Sequence, residues 1–267
     1  MAVRAVCAAT AAAVAVAAVV AALPAPAAAQ VTDEQVRQCV DRAVVRLKKG
    51  QRADGHWGDI LDSYGGGYGG MTALAVLALV QAGVPLDDPV VARGLAALER
   101  MPDADTYAVS LRAMAFLKAD EVSGKPAHAA QVREAVAWLS AAQTSLGTWG
   151  YNRRLAQSGD PDALVTYTDH SNTQMALLAL YEASRAGYPV DEQVWKRSES
   201  HYVRAQNKDG GWGYRMGPSY NSYGSMTAAG LASLMAAGSR LHEGRQFKCG
   251  TPERVKLCGQ YRQNEPI

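Results

Sequence analysis

Apolar residues recur along this chain at helical spacing. Val36, Val40, Ala43, Val44 and Leu47 fall on one side of a segment whose other side carries Arg37, Asp41, Arg42, Arg46 and Lys48. The stripe predicts a helix with one buried face, capped by Thr32 or Asp33 and closed near Gly50. The next run, residues 71–80, is apolar on nearly all sides, the pattern of a helix surrounded by other helices. The alternation then repeats. Asp88 caps and Pro89 opens a second outer helix through Leu95 and Leu98. Residues 106–119 form a second inner helix with Tyr107, Met114 and Phe116. Residues 129–142 carry Val132, Val136 and Leu139 on one outer-type stripe, and residues 192–205 carry Val194, Trp195, Ser198, Tyr202 and Ala205 on another. Residues 172–186 and 226–237 complete the inner set. The runs are long, Ala-rich and not alternating, which argues against strands. Polar outer helices paired with apolar inner ones should curl. The expected fold is all-α, an α/α toroid (barrel) or an open arc of at least four helical hairpins.

One motif punctuates this pattern. Gln, three residues, Gly, one residue, Trp occurs at Gln51/Gly55/Trp57, at Gln143/Gly147/Trp149 and at Gln206/Gly210/Trp212. Each copy ends an outer-type run and is followed by another Gly, which marks an internal repeat. The turn Gly83-Val84-Pro85 returns as Gly187-Tyr188-Pro189, an offset of 187 − 83 = 104 residues, or two hairpins. A Thr recurs near each inner start: Thr72, Thr106, Thr173 and Thr227. A Gln amide can satisfy orphan backbone groups at a helix end, and a Trp can fill the wedge between splaying elements.

These motifs resemble those of the terpenoid-cyclase and protein-prenyltransferase toroid family, especially its squalene–hopene cyclase branch and the small prenyltransferase and squalene oxidase repeat proteins. The resemblance covers about residues 33–238. It implies that each Gln caps the end of an inner helix and each Trp packs between neighbouring outer helices. It also implies where an acid would sit. The cyclases protonate an alkene with an Asp in an Asp-x-Asp-Asp-Thr motif opening an inner helix. The equivalent stretch here is Asp169-His170-Ser171-Asn172-Thr173. Asp169 and Thr173 match, while Ser171 and Asn172 replace the later acids, and neither can donate a proton to an alkene near neutral pH. Asp169 with His170 could form an acid pair by itself. The competing reading is that Asp169 or Ser171 caps the helix and Asn172 ties down the loop. The prenyltransferase branch binds zinc through Asp, Cys and His. Here His56, His128, His170, His201 and His242 stand at no ligand spacing, with His128 and His201 expected at the surface. A zinc site would need His170, Asp169 and His56 or Asp62 to converge, so no metal or cofactor is expected.

Composition narrows the rest. A net charge of +2 with no basic block excludes an electrostatic nucleic-acid surface. The first 29 residues read as a signal peptide: Arg4, an apolar Ala-rich run over 5–23, then Pro24, Pro26 and Ala27-Ala28-Ala29. An uncleaved anchor is the alternative. Either places the chain outside the cytoplasm, periplasmic or extracellular, with no membrane span after the signal region. Residues 30–238 form the repeat domain and 239–267 an irregular tail or incomplete fifth hairpin. Cys39 reads as a buried thiol, while Cys249 and Cys258 could pair. The segment 65–70 is Gly-rich but lacks the Lys-Ser/Thr end of a phosphate loop.

Twelve Tyr against two Phe favour aromatics with a polar handle. Tyr64, Tyr68, Tyr167, Tyr214, Tyr220 and Tyr223 precede inner helices, and Tyr107 lies at the start of one. If the hairpins curl, these residues gather at one rim and suit a polymer, lipid or protein ligand. Loop packing is the equal alternative. Three functions stay open: a non-catalytic binding or scaffold module, an isoprenoid cyclase using Asp169, and a polysaccharide lyase drawing on Asp59, Asp62, Asp160, Asp162 and Asp169.

Overall fold

A computed structural model describes residues 31–58, 69–102, 105–216 and 221–242. Among them the chain is all-α, with nine α-helices, a 3₁₀ turn at Arg153–Gln157 and one two-residue β-pair. The helices are α1 (Asp33–Gly50), α2 (Gly70–Gln81), α3 (Pro89–Glu99), α4 (Thr106–Ser123), α5 (Ala129–Ala142), α6 (Pro161–Tyr167), α7 (His170–Arg185), α8 (Glu192–Ala205) and α9 (Gly224–Leu241). No helix among the described residues is long and apolar enough to cross a membrane. The signal region, Tyr64, Tyr68, Asp59, Asp62, Tyr220, Cys249 and Cys258 lie outside the described residues.

The chain divides into two units at Val45. In the first, α1 opens on a capping box: Thr32 Oγ1 accepts the Gln35 N–H at 3.2 Å, and Gln35 Oε1 accepts the Thr32 N–H at 2.9 Å. The expected stripe is not fully buried: Val36, Val40 and Ala43 are exposed, Val44 and Leu47 are half-buried, and no residue of α1 is buried. The spacing predicted the helix but not the burial. Cys39, expected as a buried thiol, is exposed.

The second unit holds the hairpins. The inner helices α2, α4, α7 and α9 pack in chain order, each on the next, with α3, α5 and α8 on their outer sides. α4 is buried nearly all round, from Thr106 to Ala119. That fits its lack of any polar stripe. α2 departs from the same expectation. Ala73, Val76, Leu79 and Val80 are buried, but Met71 and Leu74 are exposed, as are Leu178 on α7 and Met235 on α9. The inner helices therefore present some apolar surface that no described element covers.

The repeated motif explains how each hairpin is fastened to the next. Each Trp indole N–H donates to a carbonyl ten residues earlier: Trp57 to Leu47 at 2.8 Å, Trp149 to Leu139 at 2.8 Å and Trp212 to Tyr202 at 2.9 Å. Those carbonyls belong to the last turns of α1, α5 and α8, where no helical N–H remains to satisfy them. Each Trp backbone N–H donates to an inner-helix hydroxyl, Thr72, Thr173 or Thr227, at 3.2, 3.1 and 3.3 Å. The fourth recurrent Thr reverses the polarity: Thr106 Oγ1 donates to the Gly150 carbonyl at 2.6 Å.

The Gln acts differently from what the resemblance implies. It reaches the first turn of the next outer helix rather than the end of an inner one. Gln51 Nε2 donates to the Val90 carbonyl at 2.8 Å, and Gln143 Nε2 to the Val194 carbonyl at 2.9 Å. Their Oε1 atoms accept from Arg93 and Arg197 at 2.8 and 2.7 Å. Arg93 and Arg197 stand 197 − 93 = 104 residues apart, the repeat offset again. The motif Gly permits this approach. Gly55 and Gly147 have φ +92 and +83, and a Cβ on Gly55 would meet the Arg93 carbonyl oxygen at 2.6 Å. A Cβ on Gly147 would meet the Arg197 carbonyl more closely still.

Candidate functional site

The starts of α4 and α7 lie side by side, and the short β-pair knits them together. Trp149 pairs with Asp169 and Gly150 with Thr168, while the Thr106 N–H donates to the Tyr151 carbonyl at 3.3 Å. Each helix is capped by a buried Asp. Asp105 accepts the Ala108 N–H at 2.9 Å, and Asp169 accepts the Asn172 N–H at 2.7 Å. Asp169 is thus the N-cap, and Asn172 secures it by donating Nδ2–H to its second oxygen at 2.8 Å. An amide at position 172 is the residue type that can feed a carboxylate in this way. A second acid there would repel it.

His170 follows the cap into the core. Its backbone N–H donates to the Tyr214 carbonyl at 2.9 Å, and its Nδ1 lies 2.7 Å from the Gly213 carbonyl. A carbonyl can only accept, so Nδ1 carries the proton and Nε2 is left with its lone pair. That Nε2 faces His201 Nε2 at 2.9 Å. Burial depresses the His170 pKa despite the Gly213 carbonyl and the Asp169 carboxylate. Burial, then the neighbouring His170 and Arg204, pushes His201 down to about 3. Both rings are therefore neutral near pH 7. His128 and His201, expected at the surface, are buried. His128 stacks on Phe116 with ring centres 4.7 Å apart, and its Nδ1 meets Asp120 at 2.7 Å. His201 turns inward because Tyr202 and Ser198 share its face of α8.

Around the two caps lie tyrosines. Tyr107 hydrogen-bonds Ser171, and its ring stacks on Tyr151 with centres 6.0 Å apart. Burial together with the Asp169 carboxylate raises the pKa of Tyr214. Burial likewise raises Tyr107, against the Ser171 hydrogen bond. Of the residues singled out in the sequence, Asp169, His170, Tyr107 and Tyr214 come together. Tyr167 and Tyr223 are exposed. Tyr151 joins the cluster without having been singled out; its place directly after the Trp149-Gly150 motif was the available signal. His201 was missed as a partner because it lies 31 residues from His170, on a different helix.

Two cavities bear on chemistry. One, of about 10 Å³, is bordered by Asp169, His170, His201, Thr148, Thr168 and Met216. It has room for about one water. The other, about 520 Å³, lies among the C-terminal halves of α2, α4 and α7. Leu77, Met114, Leu117 and Leu178 give it apolar walls, and Lys118, Glu121, Glu182 and Arg185 surround them. Asp160 is spent as the cap of α6, accepting the Asp162 N–H at 3.0 Å. Among the described residues no three His, Cys, Asp or Glu side chains converge to hold a metal ion. No family model matches the chain, and no curated protein or solved structure matches it.

Proposed function

We propose that this chain is an exported, cyclase-like α/α arc that works as a non-catalytic binding module. The observation that carries the reading is the state of Asp169. Both its oxygens accept hydrogen bonds from Asn172, and the cavity beside it is about 10 Å³. A carboxylate spent on a helix cap, with space for one water, supports structure better than substrate protonation. The groove with room for a ligand is elsewhere. Leu178 lies nine residues along α7 from Asp169, about 13 Å at helical rise. Its apolar walls and paired charges suit an amphipathic ligand held without turnover.

Two measurements test this. Purified protein incubated with squalene should yield no cyclic product. Product that vanishes in Asp169→Asn would overturn the reading and make Asp169 the acid. An anilinonaphthalene sulfonate fluorophore should bind the native protein with one saturable site, lost in a folded Leu178→Glu variant. Equal binding by that variant would remove the groove from the proposal.

A further inference from the structure

His170 and His201 form a pair that the binding reading does not use. Both are almost fully buried, at 1% and 2% exposure. Their facing Nε2 atoms are 2.9 Å apart, and the first is held in place by the Nδ1–H to Gly213 carbonyl bond. A ring N–H tied to a backbone carbonyl, with the opposite nitrogen bare, is how proteins orient an imidazole as a metal ligand. His201 Nδ1 is buried with no hydrogen-bond partner. If His201 carries its proton on Nε2, the bare Nδ1 is unsatisfied. If the proton sits on Nδ1, two lone pairs face each other. The pair is therefore not completed by its own protons in either tautomer. Met216 borders the same small cavity, as does Asp169.

We propose that His170 and His201, with the Met216 thioether, form a binding site for a soft monovalent metal ion of the Cu(I) class. The donor set decides the class. Structural zinc takes four ligands, and no third His, Cys, Asp or Glu joins the pair among the described residues. Two imidazoles and a thioether suit a soft ion of low coordination number. With metal–nitrogen bonds of about 2 Å, the two Nε2 atoms must part to between about 3.3 Å (bent) and 4 Å (linear). His201 Nδ1 then carries its proton. The adjacent Asp169 carboxylate offsets the positive charge that the start of α7 would otherwise oppose. The site stands apart from the groove, so its failure leaves the binding-module reading untouched.

The test uses full-length protein with its thiols alkylated, labelled with ¹⁵N in histidine and titrated with Ag(I), a redox-inert stand-in for Cu(I). One equivalent should shift the Nε2 resonances of His170 and His201 together. His201→Gln should abolish both shifts, and Met216→Leu should weaken the binding by about tenfold or more. Silver taken up with those two resonances unmoved overturns the proposal. So does equal affinity in the Met216→Leu variant, which decides the ligand set even where His201→Gln fails to fold.

Discussion

At the scale of single residues, the same side chain is worth different amounts in different copies of the motif. Gln143 is buried and makes three bonds, to the Val194 carbonyl, the Ser198 hydroxyl and the Arg197 guanidinium. Gln206 is exposed and its amide donates to the Gly210 carbonyl within its own loop. Gln143→Ala strands buried partners and should cost about 1–3 kcal/mol. Gln206→Ala should change stability by less than about 0.5 kcal/mol. Urea unfolding of the two variants checks this; equal losses would mean that the bond to the next outer helix contributes nothing. The histidine pair gives a second residue-scale prediction. His201 titrates near its ordinary 6.5 in the unfolded chain but at about 3 when folded. The unfolded chain therefore binds the proton first. Its contribution to stability is whole above pH 6.5 and is lost as the pH falls toward 3. The urea midpoint of the metal-free protein should drop between pH 7 and pH 4, and His201→Leu should flatten that drop. Parallel curves for the two proteins would show that the pair is not the acid-sensitive element.

At the scale of elements, the sequence announced helices well and their surroundings less well. Caps at Asp88 and at Asp169 or Ser171, and the positions of four inner and four outer helices, follow from residue type and spacing alone. α6 and the 3₁₀ turn before it were not read, because residues 150–168 carry no sustained period. The part-exposed stripe of α1 and the inward turn of His201 depend on which neighbour stands opposite, which periodicity does not encode. The Gln contact was misassigned for a related reason. A helix-end amide can reach several orphan groups, and the positive-φ Gly decides which backbone comes near. The motif Trp is where the two levels meet. Trp149 is fully buried, caps α5 through its indole and anchors α7 through its amide. Trp149→Ala should cost about 3–5 kcal/mol and leave fluorophore binding in the distant groove unchanged per folded molecule. An unaltered melting temperature would show that the ring is not wedged between these helices.

At the scale of the whole molecule, the question is what the inner helices face. Their mutual sides are buried in chain order, α2 on α4, α4 on α7, α7 on α9. The exposed Leu74, Leu178 and Met235 lie on these same helices. A closed and filled toroid would pack such residues together, whereas an arc with an accessible concave side would leave them in water. Charge insertion separates the two arrangements. Leu180 is fully buried on α7, so Leu180→Glu places an unpaired carboxylate in the core and should abolish cooperative folding. Leu74→Glu and Met235→Glu put the same charge at positions about half and two-thirds exposed, at 47% and 69%. They should shift stability by no more than about 0.5 kcal/mol, within the range for surface substitutions. Leu178, at 36% exposure and bordering the groove, should fall between these cases, with binding lost before folding is. If Leu74→Glu and Met235→Glu unfold the protein as Leu180→Glu does, those residues are packed in solution, and the open groove on which the binding reading depends does not exist.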